Sequence, residues 1–264
     1  MPGKDRQRQL AREKVQRQMA RRAAQARRRR RLQAIAGSVA AVIAIVALAG
    51  FGASKLGGDE KKKKAPAAKP AADSCSYDKP KEGQRGPVPR KVAAPQVKDV
   101  VKTGAVRVAL KTNRGELALT LDRAKAPCTV HNFVSLAQQK YFDKTPCHRL
   151  TTKDFYVLQC GDPGGTGGGG PGYVFADEGL PAKQGAPVPY PAGTVAMANG
   201  GPGTNGSQFF IVYSDTEFPP SYTVFGTVAK GLAVVETIAK AGSTPPGDGK
   251  PNNAVTIQSV RLGS

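Results

Sequence analysis

The stretch NGSQFFIVY, Asn205 to Tyr213, decides the reading of this chain. Its apolar run of β-branched and aromatic residues reads as a strand, and the side chains of Gln208 and Phe210, two positions apart, then share one sheet face. An amide beside a ring on one face suits a groove that grips a peptide. The amide can bond a backbone group and the ring can receive an apolar side chain.

Outward from this strand, short segments of similar character recur. VRVALKT (Val106 to Thr112) and ELALTLD (Glu116 to Asp122) alternate apolar and polar residues, with a turn signal at Asn113-Arg114-Gly115 between them. APCTVHNFVSLAQQKYF fits a helix: Pro127 suits its first turn, and Val130, Phe133, Val134 and Leu136 form a stripe. HRL, FYVLQC, TVAMA, QFFIVY and YTVFGTV follow as strands, separated by Gly and Pro clusters. Ala229 to Ala241 reads as a second helix, and Ala254 to Leu262 as a closing strand. Eight or so short strands, two helices and no βαβ rhythm predict a mainly β fold, a closed antiparallel barrel. The run GDPGGTGGGGPGY (Gly161 to Tyr173) lacks the G-K-[ST] ending of a phosphate loop and has no helix after it, so it reads as a flexible surface loop.

The net charge of +21 is unevenly placed. Residues 1–31 hold 13 Lys/Arg against 2 Asp/Glu, residues 55–97 hold 11 against 5, and residues 98–264 hold 16 against 12. The basic excess thus lies outside the expected globular domain, and no specific nucleic-acid binding is expected of that domain. Leu32 to Ser54 is a run of 23 uncharged residues, long enough as a helix to cross a hydrocarbon core of roughly 30 Å. Arg27 to Arg31 precede it, and positive flanks stay cytoplasmic. The expectation is a signal anchor in the cell membrane: a cytoplasmic basic arm (1–31), a transmembrane helix (32–54), a Lys/Pro/Ala-rich linker (55–97) and an extracytoplasmic domain (98–264). The alternative is secretion after cleavage near Ala47-Leu48-Ala49.

There are four cysteines, which allow three complete pairings. An outward-facing domain permits disulfides. Cys128 with Cys147 is the expected pair, with Cys160 read as a buried free thiol. Neither a CxxC nor a Cys/His cluster of zinc spacing occurs, so no metal and no cofactor is expected.

Taken together, NFVSL (Asn132 to Leu136), CHRL (Cys147 to Leu150), LQCGDP (Leu158 to Pro163), VAMANGGPGTNGSQFFI (Val195 to Ile211) and TVFGTV (Thr223 to Val228) resemble the cyclophilin family of peptidyl-prolyl cis/trans isomerases, its bacterial, exported, membrane-anchored members above all. The resemblance covers about residues 104–263. It implies an eight-stranded closed barrel capped by two helices, with a groove for proline-containing polypeptides on one outer face. It places the essential arginine at Arg149 and the neighbouring amide at Gln159, with further groove positions at Val157, Ala198, Asn199, Gln208 and Phe210. The groove aromatic falls on Tyr156, with Phe155 one residue away because the chain inserts two residues between Arg149 and Gln159. Phe218 stands at the family's tryptophan position and Tyr222 at a histidine position, which implies weak binding of cyclosporin-type inhibitors. His148 reads as structural, there being no indicated Ser or Cys partner. The implied activity is X-Pro isomerisation in exported or surface proteins; a peptide-holding chaperone module is the alternative.

Overall fold

The computed structural model describes residues 75–82, 86–98, 100–180 and 186–263. The basic arm and the apolar span 32–54 lie outside them. Among the described residues no helix is long and apolar enough to cross a membrane.

The alternation in the first hairpin does what its period requires. Strands β1 (Ala105–Thr112) and β2 (Gly115–Asp122) pair antiparallel from Ala105↔Asp122 to Thr112↔Gly115. Val106, Val108 and Leu110 point inward together with Leu117, Leu119 and Leu121, all buried. Helix α1 (Pro127–Gln138) has Pro127 in its first turn and lays Val130, Phe133 and Leu136 on the same core. Its N-cap Ala126 offers no side-chain acceptor, so the Glu178 carboxylate supplies one from a distance. Glu178 accepts from the Cys128 N–H at 3.0 Å and the Thr129 N–H at 2.7 Å, and its charge suits the helix N-terminus.

The remaining elements are short: β3 (Thr145–Pro146), β4 (Arg149–Thr151), β5 (Val157–Cys160), β6 (Val188–Tyr190), β7 (Thr194–Met197), β8 (Phe209–Val212), β9 (Thr216–Phe218), β10 (Val224–Lys230), α2 (Leu232–Lys240), β11 (Ser243–Thr244), β12 (Asp248–Pro251) and β13 (Thr256–Leu262). The sheet order is β11-β12-β4-β5-β8-β7-β10-β2-β1-β13-β3, with β6 and β9 forming a separate pair. The expected closed ring of eight strands is therefore a curled sheet of eleven, whose ladder has two ends. Residues 145–151 pair with β13 at their start and with β12 and β5 at their end, so the chain itself spans the gap that the ladder leaves.

Two apolar clusters lie on opposite faces of the central strands, as period-2 alternation demands. Phe209, Ile211, Leu158 and Met197 enter the main core with Phe133, Phe142 and Phe225. Val157, Ala196, Phe210 and Val212 form a second cluster with Tyr190 and Phe218.

The cysteines pair as Cys75–Cys128 and Cys147–Cys160. The expected Cys128–Cys147 bond is replaced, and Cys160 is not a free thiol. Cys128 sits in the first turn of α1, against the incoming chain. Cys147 leads into β4, whose neighbour β5 ends at Cys160. The described part of the expected linker is correspondingly a strap on the domain. Tyr77 donates its hydroxyl to the Cys128 carbonyl and packs on Tyr173 and Phe175. One nitrogen of Arg90, Nη1, donates to the carbonyls of Lys140, Tyr141 and Asp143, just beyond α1.

Candidate active site

Cross-strand register builds the site. Arg149 on β4 faces Gln159 on β5, Gln159 faces Phe210 on β8, and Phe210 faces Ala196 on β7. Residues directly opposite on adjacent strands have Cβ atoms about 4.5–5.5 Å apart. A cation, an amide and a ring thus stand side by side in one row.

The amides form a relay whose direction the arginine dictates. Arginine only donates, so Gln159 must present its oxygen to it. Arg149 Nη1 donates to Gln159 Oε1 at 3.2 Å, Gln159 Nε2 to Gln208 Oε1 at 2.8 Å, and Gln208 Nε2 to the carbonyls of Gly167 and Gly169, both at 2.9 Å. The glycine-rich run is held rather than flexible. Its carbonyls receive Gln208, and its N–H groups at Gly164, Thr166, Gly167 and Gly169 donate to the Asp162 carboxylate. A Cβ at Gly169 would collide with that carboxylate, which explains glycine there. Burial raises the Asp162 pKa, but these donors outweigh it and the net shift is downward.

Beside the row lies an aromatic niche. The Phe218 ring is 5.2 Å from both Phe155 and Tyr190 and 5.6 Å from both Phe210 and Tyr222. Phe155, not Tyr156, joins this niche, and its ring centre is 5.9 Å from the Arg149 guanidinium carbon. Tyr156 packs instead on Tyr213. The cause is a tight turn before β5. Lys153 and Phe155 bridge around Asp154 at φ 67°, and period-2 alternation from there puts Phe155 on the same face as Val157 and Gln159. Ala198 flanks the niche and its N–H donates to the Gln208 carbonyl. The Asn199 amide is already engaged: Nδ2 donates to the Ser221 carbonyl at 2.8 Å, and Oδ1 accepts from the Gly201 N–H. Asn199 thereby fixes its own loop, and it lines a cleft together with Gln159, Ala198 and Gln208.

Sequence reasoning missed Asp248. It accepts from Arg149 Nε at 2.7 Å and from Nη2 at 2.8 Å. Hydrogen bonding to Asp248 raises the Arg149 pKa further, and the same contact lowers that of Asp248. The segment GDGKP carries no signal for this, because the partners are 99 residues apart.

The site is thus a cation–amide–aromatic row on one face of a curled β sheet. The family model described as "Cyclophilin type peptidyl-prolyl cis-trans isomerase/CLD" matches residues 107–262, and the chain belongs to that family. It is 55% identical over 168 residues to the probable peptidyl-prolyl cis-trans isomerase B of Mycobacterium tuberculosis, a match covering 60% of this chain and 54% of that protein. The chain thus matches about half the length of that relative. Peptidyl-prolyl cis-trans isomerase B of Streptomyces anulatus is 42% identical over 169 residues, covering 57% of this chain and 93% of that one. Among solved structures, a cyclophilin-type isomerase of Cryptosporidium parvum has a TM-score of 0.52 at 32% identity, covering 61% of this chain and 99% of that chain. A second structure of that protein, determined in the presence of the dipeptide Ala-Pro, has a TM-score of 0.50 at 32% identity, covering 60% of this chain and 99% of that chain.

Proposed function

We propose that the chain catalyses cis/trans isomerisation of X-Pro bonds in exported or surface proteins. The observation that carries this reading is the adjacency of the Arg149 guanidinium to the niche of Phe155, Phe210, Phe218 and Tyr222. The reaction breaks no covalent bond. Its barrier of about 18–20 kcal/mol is the loss of amide conjugation, and uncatalysed exchange takes tens to hundreds of seconds. As the bond twists, the prolyl nitrogen regains a lone pair. A donor aimed at that nitrogen favours the twisted state over either planar one, which is differential binding of the transition state. Arg149 supplies it and stays charged at every working pH. The niche takes the pyrrolidine ring and excludes water. The test is a coupled proline-isomer assay on Arg149→Ala: kcat/KM should fall by about a hundredfold. Wild type and variant equally slow, with peptide still bound, would make the chain a holding module instead.

The location proposed is the cell membrane, spanned once by 32–54, with the N-terminus cytoplasmic and the isomerase outside. The uncharged run after Arg27 to Arg31 supports it. So do two disulfides, which persist in oxidising compartments. The protein should remain in alkaline-washed membranes and be cut by protease added to intact cells. Recovery as a soluble secreted species beginning near residue 50 would support cleavage instead. With Phe218 where the family has tryptophan, cyclosporin-type ligands are expected to bind weakly, read by titration calorimetry against a Phe218→Trp variant.

A further inference from the structure

The Arg149 guanidinium is fixed from three sides, and only two of them belong to the groove. Gln159 holds Nη1 and the Phe155 ring lies against the group. The third constraint comes from the β11–β12 hairpin, whose Asp248 takes Nε and Nη2 in a two-pronged contact. Such side-on pairing fixes both the position and the plane of the fork. Of five N–H groups three are then used, which leaves one on Nη1 and one on Nη2 for a ligand. The carboxylate occupies the edge that includes Nε and does not block the remainder.

The hairpin is built to deliver this carboxylate. β12 pairs with β4 through Asp248↔Thr151 and Gly249↔Leu150, and the Thr152 N–H donates to the Gly247 carbonyl at 2.9 Å. A Cβ at position 249 would collide with the backbone of Thr244 and Pro245, so the turn closes only over glycine. Thr244, Pro245, Asp248 and Gly249 thereby wall one side of a cleft of about 470 Å³, with His148, Arg149 and Gln159 on the other. The pair is half open to water, with side chains 37% and 55% exposed, and a pair of that kind contributes little to stability. What it does contribute is geometry: an arginine stem turns about four bonds, and Gln159 alone fixes one nitrogen.

We infer that Asp248 is a positioning residue for the isomerisation, holding Arg149 by its Nε–Nη2 edge so that the remaining N–H groups meet the prolyl nitrogen. This rests on Arg149 being the donor proposed above.

The test measures kcat and KM in the coupled assay for the full chain, for Asp248→Ala, Asp248→Asn and Arg149→Lys, and for the double variant Arg149→Lys with Asp248→Ala. Asp248→Ala should lower kcat about tenfold with KM within about twofold, since misplacement of a catalytic group costs rate more than binding. Asp248→Asn, which keeps one acceptor, should fall between. In the Arg149→Lys background, where no fork remains, Asp248→Ala should add less than about twofold. The Arg149 Nε–H proton resonance should be sharp and slowly exchanging in wild type and lost in Asp248→Ala. An unchanged or raised kcat in Asp248→Ala, while Arg149→Lys is slow, overturns the inference and leaves the donor reading intact. An equal tenfold loss in the lysine background also overturns it, by reducing Asp248 to a hairpin-folding role. If Arg149→Lys and Arg149→Ala both turn over normally, the donor reading itself fails and takes this inference with it.

Discussion

His148 feels the charges of both Asp162 and Arg149, and its ring nitrogens are shielded from water without a hydrogen-bond partner. The Gln208 side chain, near enough to favour the proton slightly, does not meet hydrogen-bond geometry. Burial lowers its pKa first, Arg149 adds to that, and Asp162 opposes both; the net shift is below the ordinary 6.5. The imidazole is therefore neutral in the folded chain at pH 7, consistent with a structural residue. The linkage follows. As pH falls through 6.5 the unfolded chain takes up the proton first, so stability is full above that pH and declines below it. His148→Phe should flatten the fall in urea midpoint between pH 7 and pH 5; an unaltered slope would assign it to other groups. A second contrast belongs to the same scale. Phe155→Ala should lower kcat/KM about tenfold, because one buried apolar contact is worth about 1–3 kcal/mol in discrimination. Tyr156→Ala should leave it within about twofold, since that ring packs on Tyr213.

At the scale of elements, the described strap residues 75–82 and 86–98 are attached at separate points, some by side chains and some by backbone, as in the bridge between Asp78 and Val174. Cys75–Cys128 closes a loop of 53-residue separation, which in the chain-entropy account is worth about 4 kcal/mol. Arg90 serves the carbonyls beyond α1, and Pro87 accepts from the Gly170 N–H. Cys75→Ser should lower the melting temperature by about 10 °C, and a reductant should have no further effect through this bond. Composition alone reads this segment as linker, because its Pro, Lys and Gly form no periodic pattern, and anchors such as Cys75, Tyr77 and Arg90 are visible only with their partners. The same logic separates what was legible in the chain from what was not. Alternation over eight residues gives the 105–122 hairpin, and a four-position stripe gives α1. Strands of two to four residues, such as β3, β6, β9, β11 and β12, contain too little of any period to register. Arg149, Gln159 and Phe210 were reached by resemblance in motif order, and their row was implicit in it. Phe155 is set by a tight turn at Asp154, and Asp248 depends on a pairing that no local window contains.

For the whole molecule, the charge pattern and the fold divide the chain differently. Charge and hydropathy place the domain at residue 98, after the last of the basic spacer. The disulfide and the Tyr77 cluster place its start at or before residue 75, so the spacer before it is shorter than composition implies. A chain beginning at residue 98 keeps the entire cation–amide–aromatic row but loses the strap. Since Tyr77 packs on Tyr173 and Phe175, and Pro87 bonds Gly170, the strap braces the segment that carries the Gln208 acceptors Gly167 and Gly169. Compared with a chain beginning at residue 75, the shorter one should melt at least 10 °C lower and show faster amide exchange at Gly167 to Gly170. Its kcat should fall by a few-fold, because the relay from those glycines through Gln208 and Gln159 orients Arg149. Equal melting temperatures for the two would return residues 75–97 to the role of a plain spacer, and equal exchange with unequal melting would confine the strap to stability alone.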